Sequence, residues 1–243
     1  MIAAVSLALA AAFLCGPALA GAWPMEPGRS QAIVKFETQR ASEAFDEAGQ
    51  RVPIPVHHDL AADIFVERGI TEHLTAQGKL YWASVKEDGL SQTAYGHSEL
   101  GARWTAYNGS KGVLSVYTGL TLPVVGAAQG QAGFEARVLA GRAARIGRRK
   151  LVADLQLATL TGSGYGRETR LEGSLGLELT ENWTLMAQMQ GGQIENGTAW
   201  LKDEISITRR FGQNSLQIGW RQTPFGKNFT KASGPIVGLW RRF

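Results

Sequence analysis

Beyond residue 20 the chain holds no apolar run approaching the ~20 residues that a membrane-spanning helix requires, yet segment after segment alternates apolar and polar residues. Between Arg170 and Thr180 the odd positions are Leu171, Gly173, Leu175, Leu177 and Leu179, and the even ones Glu172, Ser174, Gly176, Glu178 and Thr180. Successive strand residues face opposite sides, whereas a helix would scatter these leucines around its circumference. Clear alternation recurs over 59–67, 74–82, 99–106 and 215–221. Weaker versions cover 30–38, 113–122, 134–142, 151–161, 183–192, 200–210 and 236–243. The pattern predicts an all-β chain of about 12 strands.

Residues 1–20 carry no charged side chain and end in Pro17-Ala18-Leu19-Ala20 before Gly21. Small residues at Ala18 and Ala20 form an A-x-A-like cleavage site, so a secretory signal peptide is expected there. No Lys or Arg precedes the apolar stretch, which leaves open whether Met1 is the true start. Cys15 is the sole cysteine, and Leu14 before it fits a lipidation site poorly. The expected mature chain, 21–243, therefore has no thiol to form a disulfide in an oxidising compartment. Its net charge of +4 is spread along the chain. Dispersed basic residues and export together argue against nucleic acid and for outer-membrane lipid as the partner.

An exported chain with alternating strands and no spanning helix satisfies its backbone in lipid by closing into a barrel. The fold expected is a transmembrane up-and-down antiparallel β-barrel, with apolar positions toward lipid and polar ones toward the lumen. Connections alternate in the way such barrels do, long over 39–56, 86–97, 123–133, 162–168 and 224–231 and moderate over 193–198. The short ones fall at 69–72, 108–112, 146–149, 181–182 and 212–213. An even strand number returns both termini to the periplasm. Trp82, Trp104, Trp183, Trp200, Trp220 and Trp240 are candidates for interfacial girdles. The end of the chain, with Gly238, Trp240 and Phe243, is a partial assembly signal for the barrel-assembly machinery, Arg241 standing where an aromatic is usual. A soluble sandwich or lipocalin-like barrel shows the same period with its faces exchanged. The Leu-, Ala- and Gly-rich apolar faces, the Glu, Arg and Gln opposite them, and the long strands favour the membrane form.

Gly21-Ala22-Trp23-Pro24, Glu26-Pro27-Gly28, Phe45-Asp46 and Gly49 resemble the opening of XagA-type proteins of Gram-negative bacteria. Residues 67–75, running from Glu67 through Gly69, Ile70, Thr71 and Glu72 to Thr75, resemble their strand–turn–strand hairpin. That hairpin is also similar to one in barrels grouped as transporters of phenol-degradation (meta-pathway) type. The resemblance implies an outer-membrane barrel linked to surface polysaccharide or to passive uptake, and supplies no catalytic residue.

Candidate sites are few. In Gly96-His97-Ser98-Glu99, adjacent strand residues point apart, so His97 and Ser98 do not make a nucleophile–base pair. His97 is expected at a loop end. His57-His58-Asp59 lacks the further ligands a metal site needs and is expected at another loop end, and Gly162 to Gly166 precedes no helix that would cradle a phosphate. No metal, cofactor or catalytic set is expected, and an enzyme is not the reading. Polar-facing positions instead place charge in the lumen. The acids are Asp63, Glu67, Glu99, Asp154, Glu172, Glu178 and Glu204; the bases are Lys79, Arg103, Arg137 and Arg221. Buried charges must pair or meet water. The function expected is therefore a passive channel for a small polar solute. The alternatives are a closed structural barrel with a polysaccharide-export partner and, last, a barrel-embedded lipid hydrolase.

Overall fold

A computed structural model describes residues 21–87, 93–110, 112–124, 132–161 and 166–243. The expected signal peptide at 1–20 and most of the glycine-rich 162–166 segment lie outside them. Twelve strands run β1(Ser30–Phe45), β2(Arg51–Gly69), β3(Leu74–Glu87), β4(Thr93–Asn108), β5(Gly112–Pro123) and β6(Gly133–Ile146). They continue as β7(Arg149–Thr161), β8(Glu168–Glu178), β9(Trp183–Ile194), β10(Ala199–Phe211), β11(Asn214–Lys227) and β12(Phe229–Arg242). Each pairs antiparallel with its sequence neighbours, and β1 pairs with β12, from Gln31↔Arg242 to Phe45↔Phe229, to close the barrel. Closure leaves no unpaired edge.

Alternation along each strand sorts the side chains by face, and the sorting answers the question that period two leaves open. Leu100 is 71% exposed and Ile205 65%, with Leu120, Leu155, Leu171 and Leu239 also on the outside. Arg103 is 1% exposed and Glu135 1%, with Glu67, Gln217 and Thr75 likewise inside. An apolar belt around the whole exterior and charge within is the inverse of a soluble barrel. Leu155 lies near the middle of β7. Replacing it with arginine is expected to destabilise the barrel by roughly 2–4 kcal/mol, read from urea unfolding in lipid vesicles. An unchanged midpoint would mean that this face does not meet hydrocarbon.

The short connections fall where expected. In the turn after β2, Ile70 N–H donates to Leu74 O at 2.8 Å, and Thr71 Oγ1 accepts the N–H of Leu74 at 3.0 Å. Two of the long connections are much shorter than the sequence suggests. The 39–56 loop is strand on both sides, closed by a turn in which Asp46 Oδ1 accepts the N–H groups of Ala48 and Gln50 at 2.9 and 2.8 Å. The 224–231 loop reduces to Asn228, at φ 50°, between β11 and β12. A tilted strand needs about 9–11 residues to cross the hydrocarbon. β1 has 16 and β2 has 19, so their far ends project beyond it, where neither face must be apolar and the alternation fades. The 86–97 and 123–133 connections are also shortened by strand at both ends, but 88–92 and 125–131 lie outside the described residues.

Two further expectations change. Trp82, Trp104, Trp183 and Trp220 stand on the exterior, but Trp200 and Trp240 point inward. Trp240, 5% exposed, donates from Nε1 to Gln217 Oε1 at 3.0 Å, and Trp200 stacks on Phe229. An indole N–H inside a polar lumen finds an acceptor that lipid lacks. Phe243 remains on the outer surface.

Candidate functional site: a charged lumen with an inward N-terminal segment

Three charge networks line the wall, each reaching between strands two or three places apart in the closed sheet. In the first, Glu204 of β10 accepts from Lys35 Nζ of β1 at 3.2 Å and from Arg221 Nη2 of β11 at 2.6 Å. Arg221 also bridges to Glu37, and Gln217 Nε2 donates to the second Glu204 oxygen at 2.9 Å. In the second, Arg137 of β6 bridges Glu99 of β4 and Glu135 of its own strand while its guanidinium lies 4.4 Å from the Tyr117 ring centre. Arg170 makes a two-pronged contact with Glu168 at 2.8 and 2.9 Å. Lys79 and Asp63 pair between these groups at 3.1 Å.

The third network holds the start of the described chain inside the barrel. Arg103 Nη2 donates to Glu67 Oε2 at 3.2 Å, and Gln77 and Gln31 donate to the same carboxylate. The same Nη2 also donates to the Trp23 carbonyl at 2.5 Å, and Nη1 donates to the Gly21 carbonyl. Ser115 Oγ donates to Ala22 O at 2.7 Å, and Met25 N–H donates to Thr75 Oγ1 at 3.1 Å. Ala22 is fully buried against Val113, Tyr117 and Leu139, with Trp23 packed beside them. Gly141 makes this possible: a β-carbon there would sit 2.6 Å from the Trp23 ring. At the turn, Gly28 N–H donates to Gly69 O at 2.9 Å and Gly69 N–H to Arg29 O at 3.0 Å, fastening the segment before β1 begins. Residues 21–28 thus enter beside the β2–β3 turn and run into the lumen.

Between this segment and the far end lies a cavity of about 400 Å³. Asp63, Lys79, Arg103, Arg137, Asp154, Glu172 and Arg221 face it. Glu67, Glu99 and Glu204 are buried in the wall behind their basic partners, and half-buried Glu178 ends β8 beside its turn. Sequence reasoning missed Lys35, Glu37, Glu135, Glu168 and Arg170 as charge partners. The signal was present, since Lys35/Glu37, Glu135/Arg137 and Glu168/Arg170 are opposite charges two residues apart, which share a strand face. The inward segment left no such trace, because eight residues without period carry no direction.

His97 is not at a loop end but in β4, facing the cavity and lying 5.3 Å from the Tyr81 ring. Ser98 points outward and donates to Leu122 O at 3.4 Å, so the two do not meet across a hydrogen bond. His57 and His58 likewise lie within β2; His57 Nε2 is 3.5 Å from Glu87 and His58 is exposed. Among the described residues no three metal-binding side chains cluster.

The chain has the fold of an outer-membrane β-barrel. An outer-membrane channel from Pseudomonas putida F1 superposes with a TM-score of 0.70 at 15% identity, over 94% of this chain and 100% of that one. The KdgM porin, solved with oligogalacturonate, gives 0.57 at 8%, over 87% and 99%. The translocator domain of the autotransporter NalP from Neisseria meningitidis gives 0.53 at 14%, over 89% of each chain. No protein-family model and no curated relative matches the sequence. Likenesses at this identity carry the architecture, and activity has to be argued from the lumen.

Proposed function

We propose that the chain is a passive outer-membrane channel for small polar or zwitterionic solutes. The observation that carries this reading is the cavity of about 400 Å³, lined by seven basic and four acidic side chains within a closed, lipid-facing barrel. Cavities of roughly 300–1,000 Å³ hold a small molecule. The bases Lys35, Lys79, Arg137, Arg170 and Arg221 project toward the water, with carboxylates set behind or beside most of them. A solute carrying both signs would exchange hydration for these groups without meeting a large barrier of either sign. That an outer-membrane channel and a porin share this architecture supports the reading at the level of the fold. The XagA-like opening and hairpin are compatible with it. In this reading the termini and short turns face the periplasm, after export by the signal peptide.

The test is conductance of the mature protein in a planar bilayer, with the Asp63–Lys79 pair as the lever, since both are about one-third exposed to the lumen. Asp63→Asn is expected to shift the reversal potential toward anion preference and Lys79→Gln toward cation preference, with the fold unchanged. Identical reversal potentials in both would remove the lumen as the path.

A second reading is favoured by one observation, the inward segment 21–28, which narrows the turn end of the barrel. A closed barrel would act through its loops, in surface-polysaccharide export for example. Silence in the bilayer from a folded barrel would select it.

A further inference from the structure

We infer that the wall of the barrel contains a binding site for the chain's own processed N-terminus: the α-amine on Gly21 pairs with Asp154. The inference is independent of whether the lumen conducts.

Asp154 sits inside the barrel on β7, 7% exposed, with Ser174 Oγ donating to its Oδ2 at 2.6 Å. No basic side chain among the described residues lies within ion-pair distance of it, although Glu67, Glu99, Glu135, Glu168 and Glu204 each have one. A buried carboxylate without a cation is costly. Gly21 stands directly against it: a β-carbon built on Gly21 would lie 2.7 Å from Asp154 Oδ2 and 3.1 Å from its Cγ. Any side chain at 21 would displace the carboxylate, so glycine is what lets the backbone approach. The position of residue 21 is fixed by Arg103 on its carbonyl and Ser115 on the next one, with Ala22 seated in its apolar pocket.

The missing cation is the one that export would create. Hydrolysis of the Ala20–Gly21 bond by a signal peptidase consumes one water. It leaves a carboxylate on Ala20, which departs with the signal, and an amine on Gly21, which takes up a proton at neutral pH. That ammonium is borne by the Cα already packed against Asp154. Before cleavage the same nitrogen is an uncharged amide carrying twenty further residues. The inward segment therefore reaches its fully paired state only in the processed chain, so that maturation and closure of this end of the lumen are linked.

The test uses mature protein extracted from outer membranes, folded in detergent. Intact mass is expected to place the N-terminus at Gly21; a start elsewhere, or a lipid on Cys15, overturns the inference. The rate of α-amine acetylation is then followed against pH in the wild type, Asp154→Asn and Asp154→Glu. A paired amine in the wild type should titrate above the usual range of about 7.7–8.0. Asp154→Asn should lower the midpoint by at least about one unit, making acetylation near neutral pH roughly tenfold faster, while Asp154→Glu stays near the wild type. Equal profiles in wild type and Asp154→Asn would overturn it. Should Asp154→Asn fail to fold, the wild-type midpoint decides alone, and a value within or below the usual range is the negative result.

Discussion

Replacing Arg103 with alanine is expected to free residues 21–25 from the barrel wall and to destabilise the barrel by about 3–5 kcal/mol. The guanidinium is 1% exposed and does two jobs at once. It neutralises Glu67, itself 3% exposed, and it holds the carbonyls of Gly21 and Trp23. Its loss leaves a buried carboxylate facing only the amides of Gln31 and Gln77. Release of the segment can be read separately from stability. The expected mature chain has no cysteine, so Ala22→Cys provides a unique thiol in the apolar pocket. Maleimide labelling there should be slow in the parent and at least about tenfold faster with Arg103→Ala, the equivalent of about 1.4 kcal/mol in the opening equilibrium. Urea unfolding monitored in parallel gives the stability change. Equal labelling in the two proteins would mean that Ser115, Thr75 and the apolar pocket hold the segment without Arg103.

Glu204→Ala comes next in size, at about 3 kcal/mol, the low end for a broken buried pair because Lys35 and Arg221 keep some contact with water. One carboxylate joins cations from β1 and β11, and its removal leaves Glu37 as the only acid bridged to Arg221. Lys35 is then left beside Arg221 without its acid. The coupling has a signature beyond the loss itself. Adding Lys35→Met to Glu204→Ala removes the orphaned ammonium, so the double variant should unfold at higher urea than the single one. A double variant weaker than the single would show that Lys35 contributes through its own packing rather than through the pair.

Much of this architecture is legible in the sequence. Leu171 through Leu179 named a strand and one of its faces, and all twelve segments found in the sequence became strands. The boundaries failed where the physical constraint lapses. Beyond the hydrocarbon, as at 39–45 and 51–56, a strand can carry any residue on either face, so it loses the pattern that identifies it. Trp200 and Trp240 were misplaced because their residue type suits both a lipid headgroup region and a polar lumen with a hydrogen-bond acceptor. His97 was misplaced for the related reason that its strand extends beyond the clear alternation.

By itself the sequence determined the period, the number of strands and the identity of the two faces, because a strand's side chains alternate whatever surrounds them. Period two alone left open which face lies inside, since an apolar stripe meets lipid outside a membrane barrel or a dry core within a soluble one; the Leu-, Ala- and Gly-rich apolar faces, with Glu, Arg and Gln opposite them, favoured lipid outside. The closed structure bears this out, with Leu100 and Leu155 facing outward and Arg103 and Glu204 inward. The partners of those charges were decided only by the tertiary structure. Lys35 and Glu204 are 169 residues apart, and Arg103 holds the carbonyl of Gly21, 82 residues before it; the first pair is fixed by strand register and barrel closure and the second by the inward course of residues 21–28, which no local stretch of sequence encodes.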